Sequence, residues 1–344
     1  DMQPDTHIVA TGSASPALMK GNQESGAGRW TVIQVPTMSF YEYCELLNLD
    51  RPQLPPLLKI TQILHMTYQE QAGIMLQLSK VQNYFIRYLQ VGGFPELALA
   101  DNDLMAQQIM REDVVDKVLK RDLPSLYNIR NATELERIFL YLCNVSSEIV
   151  SIEAIAKELS GVSRPTVENY IQYLESANLI YQSWPVDMAG RKPLKASPKI
   201  YIADAAIRNA VLMDDSLLTD ATEMGKIVET AVYKHVAAFY YQNNTSVGYY
   251  RGGRKSKEID IVVNKPKAYN ILIEVKYRDG APIKNDDAIS ELCSSANAAI
   301  IVSKLADDFG MRPSSSGGEM LCIPAFAFLY LLGYAEKNGY KGIY

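Results

Sequence analysis

Two carboxylates and a lysine stand on two short apolar segments of the sequence, Glu258–Val263 and Ile271–Tyr277. Asp260 belongs to the first segment, and Glu274 and Lys276 belong to the second. Because side chains on a strand alternate between its two faces, Glu274 and Lys276 point to one side and their apolar neighbours to the other. The turn-rich sequence between the segments predicts a hairpin that brings Asp260 beside Glu274. Adjacent carboxylates repel each other unless a cation joins them, so this pattern predicts a site for a hard divalent ion.

The order of these residues, an Asp, a spacer and then Glu-x-Lys, resembles the core of the PD-(D/E)xK nuclease superfamily. The resemblance implies that Asp260 and Glu274 hold Mg²⁺, and that Lys276 positions the attacking water or stabilises the developing phosphoryl charge. It also implies a third acid on the preceding helix, for which Glu229 is the candidate. Ile259 stands before Asp260, where the pattern that names the superfamily has Pro. The alternative is a charged hairpin whose Glu and Lys are simply solvated.

Residues 225–236, which include Glu229, have the spacing of a helix that packs against a sheet. Its apolar face is formed by Ile227, Val228, Ala231, Val232 and His235. We interpret His235 as a packed histidine rather than a ligand. With three histidines in the whole sequence, histidine-based catalysis has few candidates.

The composition is that of a soluble globular protein of two or three domains: 344 residues, 48% apolar and 21% charged. The formal net charge of −5 argues against an extended basic surface, so any contact with DNA would have to be local. Four widely spaced cysteines without a CxxC pair predict reduced thiols in a cytoplasmic protein. The longest apolar run, residues 321–332, contains Pro324 and is too short to span a bilayer, so no membrane partner is expected.

Short motifs are arranged in a fixed order near the beginning of the sequence. They are the strand end Thr11-Gly12-Ser13, then Gly28-Arg29, the stretch Pro36–Tyr43, and Gly92-Gly93-Phe94-Pro95-Glu96. In this order they resemble the second half of AAA+-like ATPases, of archaeal and bacterial type, that carry a nuclease-like C-terminal domain of unknown function. The resemblance implies that Thr11 and Ser13 lie on the sensor strand near the γ-phosphate of a nucleotide, and that Arg29 acts on the nucleotide.

The glycine-rich phosphate loop of such ATPases, Gly-x-x-x-x-Gly-Lys-Ser/Thr, does not occur in this sequence. The nearest text, Met224–Ile227, lacks the first glycine and the hydroxyl residue. Because the backbone amides of that loop hold the phosphates, we expect ATP to bind only if a missing N-terminal half is present. We therefore expect this chain to be a piece of a longer ATPase; the alternative is a protein that has lost the nucleotide-binding half.

Residues 151–184 predict two helices joined by a turn at Gly161, which is the pattern of a helix-turn-helix. Ser163 caps the second helix, and residues 178–184 and 199–203 predict the strands of a winged helix. A version that reads DNA would present these side chains to the groove: Arg164, Thr166, Asn169 and Gln172. The alternative is a packing module, because winged helices also serve that purpose.

The sequence as a whole predicts a multi-domain α/β chain. Its expected parts are an AAA+ core remnant (1–50), a helical lid (51–100), a helical and winged-helix domain (101–215) and a PD-(D/E)xK-like mixed sheet with flanking helices (216–344). Two functions remain open: Mg²⁺-dependent cleavage of DNA, or a catalytically inactive module of an ATPase. The second would bind a partner protein or another copy of the chain, or regulate the ATPase.

Overall fold

The computed structural model describes residues 9, 33, 35–159, 161–186, 196–213, 219–241, 245–252, 257–280 and 283–338. Thr11, Ser13 and Arg29, the residues predicted to contact nucleotide, lie outside these ranges. The described elements are helices and two β-sheets, so the predicted α/β class is confirmed.

Short helices form the first part of the described chain. The first of them begins at Ser39, whose hydroxyl accepts a hydrogen bond from the backbone of Glu42, while the Glu42 carboxylate accepts from the backbone of Ser39. The helices are α1 (Phe40–Leu46), α2 (Ile60–Ile63), α3 (Tyr68–Leu78), α4 (Phe85–Val91), α5 (Pro95–Ala98) and α6 (Asp103–Ile109), with a 3₁₀ turn at Ser79–Tyr84. Helices α2 to α5 lie in the region predicted as a helical lid (51–100), whereas α1 lies before it and α6 lies after it.

The Gly92-Gly93 pair ends α4 where two other parts of the chain approach the backbone closely. Gly92 has φ of 70°, and a Cβ atom at this position would clash with the Asp204 carboxylate. A Cβ atom at Gly93 would clash with the backbone carbonyl of Met38 and the ammonium of Lys234. Both glycines are therefore required by packing.

Residues 103–127 form a continuous helical segment, but its hydrogen bonding changes after α6. Two π-helical segments, Met110–Asp116 and Val118–Asp122, follow α6 and lead into α7 (Leu123–Tyr127). Local ion pairs lie along this segment: Lys117 with Asp113, Lys120 with Asp116 at 3.0 Å, and Arg121 with Asp122 at 2.8 Å. The charges on this segment thus compensate one another at the surface.

A small sheet and its helices follow. The elements are α8 (Ala132–Asn144), β1 (Glu148–Ile149), α9 (Ile152–Glu158), α10 (Arg164–Ser176), β2 (Ile180–Ser183), β3 (Lys199–Ile202) and α11 (Ala205–Leu212). The three strands are antiparallel in the order β1-β3-β2, and we call them the middle sheet. Helices α9 and α10 are joined through Gly161, whose φ is 103°, so the predicted helix, turn and helix are present.

The larger sheet contains six strands and is packed against α12 (Ala221–Tyr240). The elements after α12 are β4 (Ser246–Gly252), β5 (Lys257–Lys265), β6 (Tyr269–Lys276), α13 (Ala288–Leu292), β7 (Ala298–Ser303), β8 (Gly310–Pro313), β9 (Glu319–Pro324) and α14 (Ala325–Lys337). The strand order is β4-β5-β6-β7-β9-β8, with β6, β7 and β9 parallel and the other pairs antiparallel. This C-terminal sheet is mixed, as the sequence predicted.

Hydrogen bonds and aromatic stacking connect the two sheets. Val186 donates its N–H to the carbonyl of Tyr249 at 2.8 Å, and Tyr249 donates to the carbonyl of Trp184 at 3.2 Å. The rings of Tyr201 on β3 and Tyr233 on α12 stack with centroids 4.0 Å apart. The middle sheet is therefore fixed against the C-terminal sheet and its helix.

The four cysteines are buried free thiols, as expected from their spacing. Burial raises the pKa of Cys143 to about 12. In the part of the chain that the structure describes, no helix combines the length and the apolar content needed to cross a membrane.

Candidate functional site

The hairpin of β5 and β6 brings the three chemically interesting residues together. Ile261 pairs with Ile273 across the hairpin, which puts Asp260 level with Glu274. The Oδ2 atom of Asp260 accepts a hydrogen bond from the backbone N–H of Val275 at 2.9 Å. Lys276 lies on the same face of β6 as Glu274, and its Nζ atom donates to Glu274 Oε1 at 2.6 Å. The side-chain alternation inferred from the sequence thus describes the strand correctly.

Glu229, the expected third acid, lies on the face of α12 that meets this hairpin. Its Oε1 atom accepts a hydrogen bond from the hydroxyl of Tyr201 at 2.8 Å and is 2.7 Å from Lys199 Nζ. Burial, followed by the charge of Asp260, raises the pKa of Glu229 to about 7. Glu229 and Asp260 therefore belong to one cluster of charged side chains where the two sheets meet, and we call this cluster the pocket.

Lys199 joins this pocket from β3 of the middle sheet, and the sequence analysis did not assign it to the site. Its Nζ atom lies 2.7 Å from Glu229 Oε1, 2.8 Å from Glu258 Oε1 and 3.1 Å from Asp260 Oδ1. The Lys199 side chain is 3% exposed. Burial opposes its charged form, but the Tyr201 hydroxyl and the surrounding carboxylates raise the pKa of its ammonium above the ordinary value. An ammonium group thus lies among carboxylates and contacts Asp260, one of the two acids expected to hold a cation.

Two signals in the sequence point to this lysine. Lys199 begins the apolar strand Lys199-Ile-Tyr-Ile202, in the same way that Glu274 and Lys276 interrupt β6. Glu258 lies two residues before Asp260 and therefore shares its face of β5. A charge placed within an apolar strand needs a partner, but the sequence does not say which one.

Negative charge exceeds positive charge in the pocket. Four carboxylates surround two ammonium groups, which leaves two negative charges if all six are ionised; they are Glu229, Glu258, Asp260 and Glu274 with Lys199 and Lys276. Burial, followed by the charge of Asp260, raises the pKa of Glu274 to about 8. The Oε2 atom of Glu274 is buried and, among the residues described, has no hydrogen-bond partner. The pocket is therefore electrostatically incomplete.

The same carboxylates are not arranged as a ready metal site. Across the described ranges, no group of three or more His, Cys, Asp and Glu side chains could hold a metal ion as it stands. Lys199 Nζ lies among three of the four carboxylates, which explains why they do not converge on an empty position. The unpartnered, buried oxygen of Glu274 and the larger number of carboxyl groups than ammonium groups nevertheless fit a divalent ion.

The residues predicted to read DNA lie on α10 with side chains toward solvent. Asn169 and Gln172 are exposed, and Thr166 is half-buried beside the capping Ser163. Arg164 pairs with Glu153 at 2.6 Å and with Glu168 at 2.9 Å. The positive charge of Arg164 is therefore offset by two carboxylates on the same surface.

His235 is a packed histidine, as the sequence analysis expected. Its Nε2 atom accepts a hydrogen bond from the backbone N–H of Phe40 at 2.9 Å, and its Nδ1 atom lies 2.7 Å from the carbonyl of Ala231. Burial, followed by the charge of Lys234, lowers the pKa of His235 to about 3. The ring is therefore neutral and fully engaged within the core.

Comparison with protein families gives two matches along the chain. Residues 82–218 match a domain of unknown function (DUF8612), and residues 224–322 match a second domain of unknown function (DUF4143). The second domain is found in proteins associated with AAA ATPases. The boundary between the two matches falls before most of α12, so the pocket combines Lys199 from the first region with carboxylates from the second.

Two curated proteins are similar to this chain, and both are uncharacterised. One, from Methanocaldococcus jannaschii, is 24% identical over 261 residues, which cover 75% of this chain and 52% of that protein. The other, from Haemophilus influenzae, is 24% identical over 208 residues, which cover 59% of this chain and 45% of that protein. The chain therefore spans about half the length of these relatives. No solved structure matches it significantly.

Proposed function

We propose that this chain is part of an AAA+-like ATPase and that its C-terminal sheet forms a PD-(D/E)xK nuclease-like domain that cleaves DNA phosphodiesters with Mg²⁺. One observation carries the proposal: the buried Oε2 atom of Glu274 has no partner in the described structure, although Glu274 lies opposite Asp260 and its other oxygen accepts a hydrogen bond from Lys276. A buried carboxylate oxygen without a partner costs free energy, and a bound cation would compensate that cost.

The residues of the pocket have complementary roles in this proposal. Asp260 and Glu274 would hold Mg²⁺ through carboxylate oxygens. When bound, the ion would polarise the phosphodiester and activate a water molecule. Lys276 would orient that water and stabilise negative charge on phosphate oxygens, since its ammonium already lies 2.6 Å from Glu274. Glu229, whose pKa is raised to about 7, would accept or hold a proton at its carboxylate near neutral pH.

The rest of the proposal concerns the parts around this pocket. Thr11, Ser13 and Arg29 would contact ATP if the nucleotide-binding half is present in the full-length protein. The winged helix would approach DNA with Arg164, Thr166, Asn169 and Gln172. The match of residues 224–322 to a domain found in proteins associated with AAA ATPases supports the ATPase part. The two carboxylates beside Arg164 oppose strong DNA binding at α10.

A second candidate is a catalytically inactive module that binds a partner protein or another copy of the chain, or regulates the ATPase. Its support is the ammonium of Lys199, which already forms ion pairs with three carboxylates of the pocket. In this case the pocket would be an ion-pair network that fastens the middle sheet to the C-terminal sheet. Such networks also raise or lower pKa values without any catalytic role.

Cleavage and metal binding together distinguish the two candidates. Wild-type protein at millimolar Mn²⁺ or Mg²⁺ should nick a supercoiled plasmid, and Asp260→Asn should abolish nicking because it removes a ligand charge. Lys276→Met should retain Mn²⁺ binding, measured by calorimetric titration, but lose nicking. The control Asp279→Asn, an exposed acid paired with Lys304, should behave as wild type. If neither wild type nor Lys199→Met binds Mn²⁺ or nicks the plasmid, the inactive module is the correct function.

A further inference from the structure

We infer that Lys199 is an internal cation that holds the pocket closed, so that a divalent ion binds only when this lysine withdraws. The inference deepens the proposed function and rests on it, because it concerns regulation of the same pocket. Its basis is geometric: the ammonium lies within 3.1 Å of Glu229, Glu258 and Asp260, and the side chain is 3% exposed. The Asp260 carboxylate is required both by the ammonium of Lys199 and by the divalent ion proposed to bind Asp260 and Glu274, so the two cations compete for it.

The lysine comes from outside the sheet that carries the carboxylates it contacts. It begins β3, the central strand of the middle sheet, and its backbone position is fixed by pairing with Ile149 on one side and Ser183 on the other. Glu258 and Asp260, in contrast, lie on β5 of the C-terminal sheet. The position of Lys199 in the pocket therefore depends on how the middle sheet is docked.

The docking itself uses contacts away from the pocket. Tyr249 exchanges backbone hydrogen bonds with Trp184 and Val186, and Tyr201 stacks on Tyr233. A Cβ atom at Gly248 would clash with the carbonyl of Trp184, so this strand requires glycine for the close approach. Any ligand or partner that loosens these contacts would draw Lys199 out of the pocket. Binding of a divalent ion and docking of the middle sheet are thus opposed equilibria.

The charge left by removing Lys199 gives a direct test. Lys199→Met leaves Glu229, Glu258 and Asp260 without their ammonium, so the variant should lose thermal stability in EDTA. It should regain stability on adding Mn²⁺ or Mg²⁺, because a bound ion stabilises the folded state. Its Mn²⁺ affinity, measured by calorimetric titration, should exceed that of wild type by about 5–150-fold, the usual range of coupling between two sites.

Two further variants keep the test decisive. Lys199→Gln retains an N–H donor and removes only the charge, so it replaces Lys199→Met in the Mn²⁺ titration if Lys199→Met does not fold. Lys234→Met is the matched control: Lys234 is also 3% exposed and paired with a buried acid, Asp204, but contacts one carboxylate rather than three. It should be destabilised in EDTA and show no recovery with Mn²⁺.

The outcomes separate this inference from the proposed function. Equal Mn²⁺ affinity in wild type and in both Lys199 variants would overturn the closing role of Lys199 but leave a metal site. If wild type, Lys199→Met and Lys199→Gln all fail to bind Mn²⁺ and their melting temperatures do not change with Mn²⁺, the metal site is wrong, and the inference with it. A gain of affinity in both Lys199 variants, absent from Lys234→Met, would support both.

Discussion

Two buried lysines in this molecule differ in the number of carboxylates that surround them. Lys234 donates to Asp204 at 2.9 Å, to the Met38 carbonyl at 2.9 Å and to the Tyr88 hydroxyl at 3.1 Å, so one positive charge meets one carboxylate. Lys199 donates to three carboxylates. Both ammonium groups have three acceptors, and the difference lies in the charge that surrounds them.

The carboxylates differ in the same way. Asp204 accepts hydrogen bonds from Thr37, Gly93, Ala206 and Lys234, and both of its oxygens are occupied. Glu274 keeps one buried oxygen without a partner among the described residues. A complete network holds a fold together, whereas an incomplete one with excess charge has the properties of a binding site.

The largest effect should come from breaking the complete network. Asp204→Ala leaves the Lys234 ammonium buried without a counter-charge and removes the acceptor of Gly93 and Thr37. We expect a loss of about 3–5 kcal/mol in the free energy of unfolding, measured by urea denaturation without metal. A loss below about 1 kcal/mol would show that the network does not stabilise the fold in this way.

A somewhat smaller loss should follow from filling the space at the Gly-Gly pair. Gly93→Ala places a methyl group against the Met38 carbonyl and the Lys234 ammonium, so the network must shift. We expect a loss of about 3 kcal/mol in urea denaturation. Gly225→Ala on α12 is the matched control, since nothing lies within 4 Å of the added methyl group, and it should gain about 0.5–1 kcal/mol. Equal effects at the two glycines would contradict the account.

The ion pairs around Glu274, which form the incomplete network, should make the stability of the protein depend on pH. The folded-state pKa of Glu274 is raised to about 8, so its contribution to stability is present below its ordinary pKa and is lost as the pH rises through 8. Glu274→Gln removes this titration. In EDTA, its stability relative to wild type should therefore rise by about 2 kcal/mol between about pH 6 and about pH 7.5. A difference that stays constant with pH would contradict the excess of negative charge.

The smallest effect on stability should come from breaking a solvent-exposed ion pair. Arg164, which is 59% exposed, pairs with Glu153 and Glu168 on the surface of α10. Arg164→Ala should leave the midpoint of urea denaturation close to that of wild type, because solvent screens such pairs. A loss as large as that of Asp204→Ala would show that exposure does not separate the two kinds of ion pair.

Much of the C-terminal sheet could be predicted because its signals are local. The alternation in β6 and the turn before it give the hairpin, and the spacing of apolar residues in α12 gives the helix that carries Glu229. The edge strands β4 and β8 have weaker signals. A register shift between Gly248 and Tyr250 interrupts the alternation of β4, and β8 is four residues long and ends at Pro313.

Other features could not be predicted because they depend on packing between distant residues. The contact of Lys199 with Asp260 joins residues 61 positions apart, and nothing in either local pattern determines it. The π-helical segments between Met110 and Asp122 have charge and apolar spacing compatible with an ordinary helix. The need for glycine at positions 92 and 93 likewise depends on distant residues, because Asp204 and Met38 pack against their backbone.

The central claim is that Asp260 and Glu274 form a site for a divalent ion that Lys199 keeps closed, and the direct measurement is Mn²⁺ binding to Lys199→Met with and without Asp260→Asn. The account predicts that Lys199→Met binds one Mn²⁺ ion per chain in calorimetric titration and that the second substitution abolishes this binding. If Lys199→Met is folded and binds no Mn²⁺, or if Asp260→Asn leaves the binding unchanged, the claim is wrong.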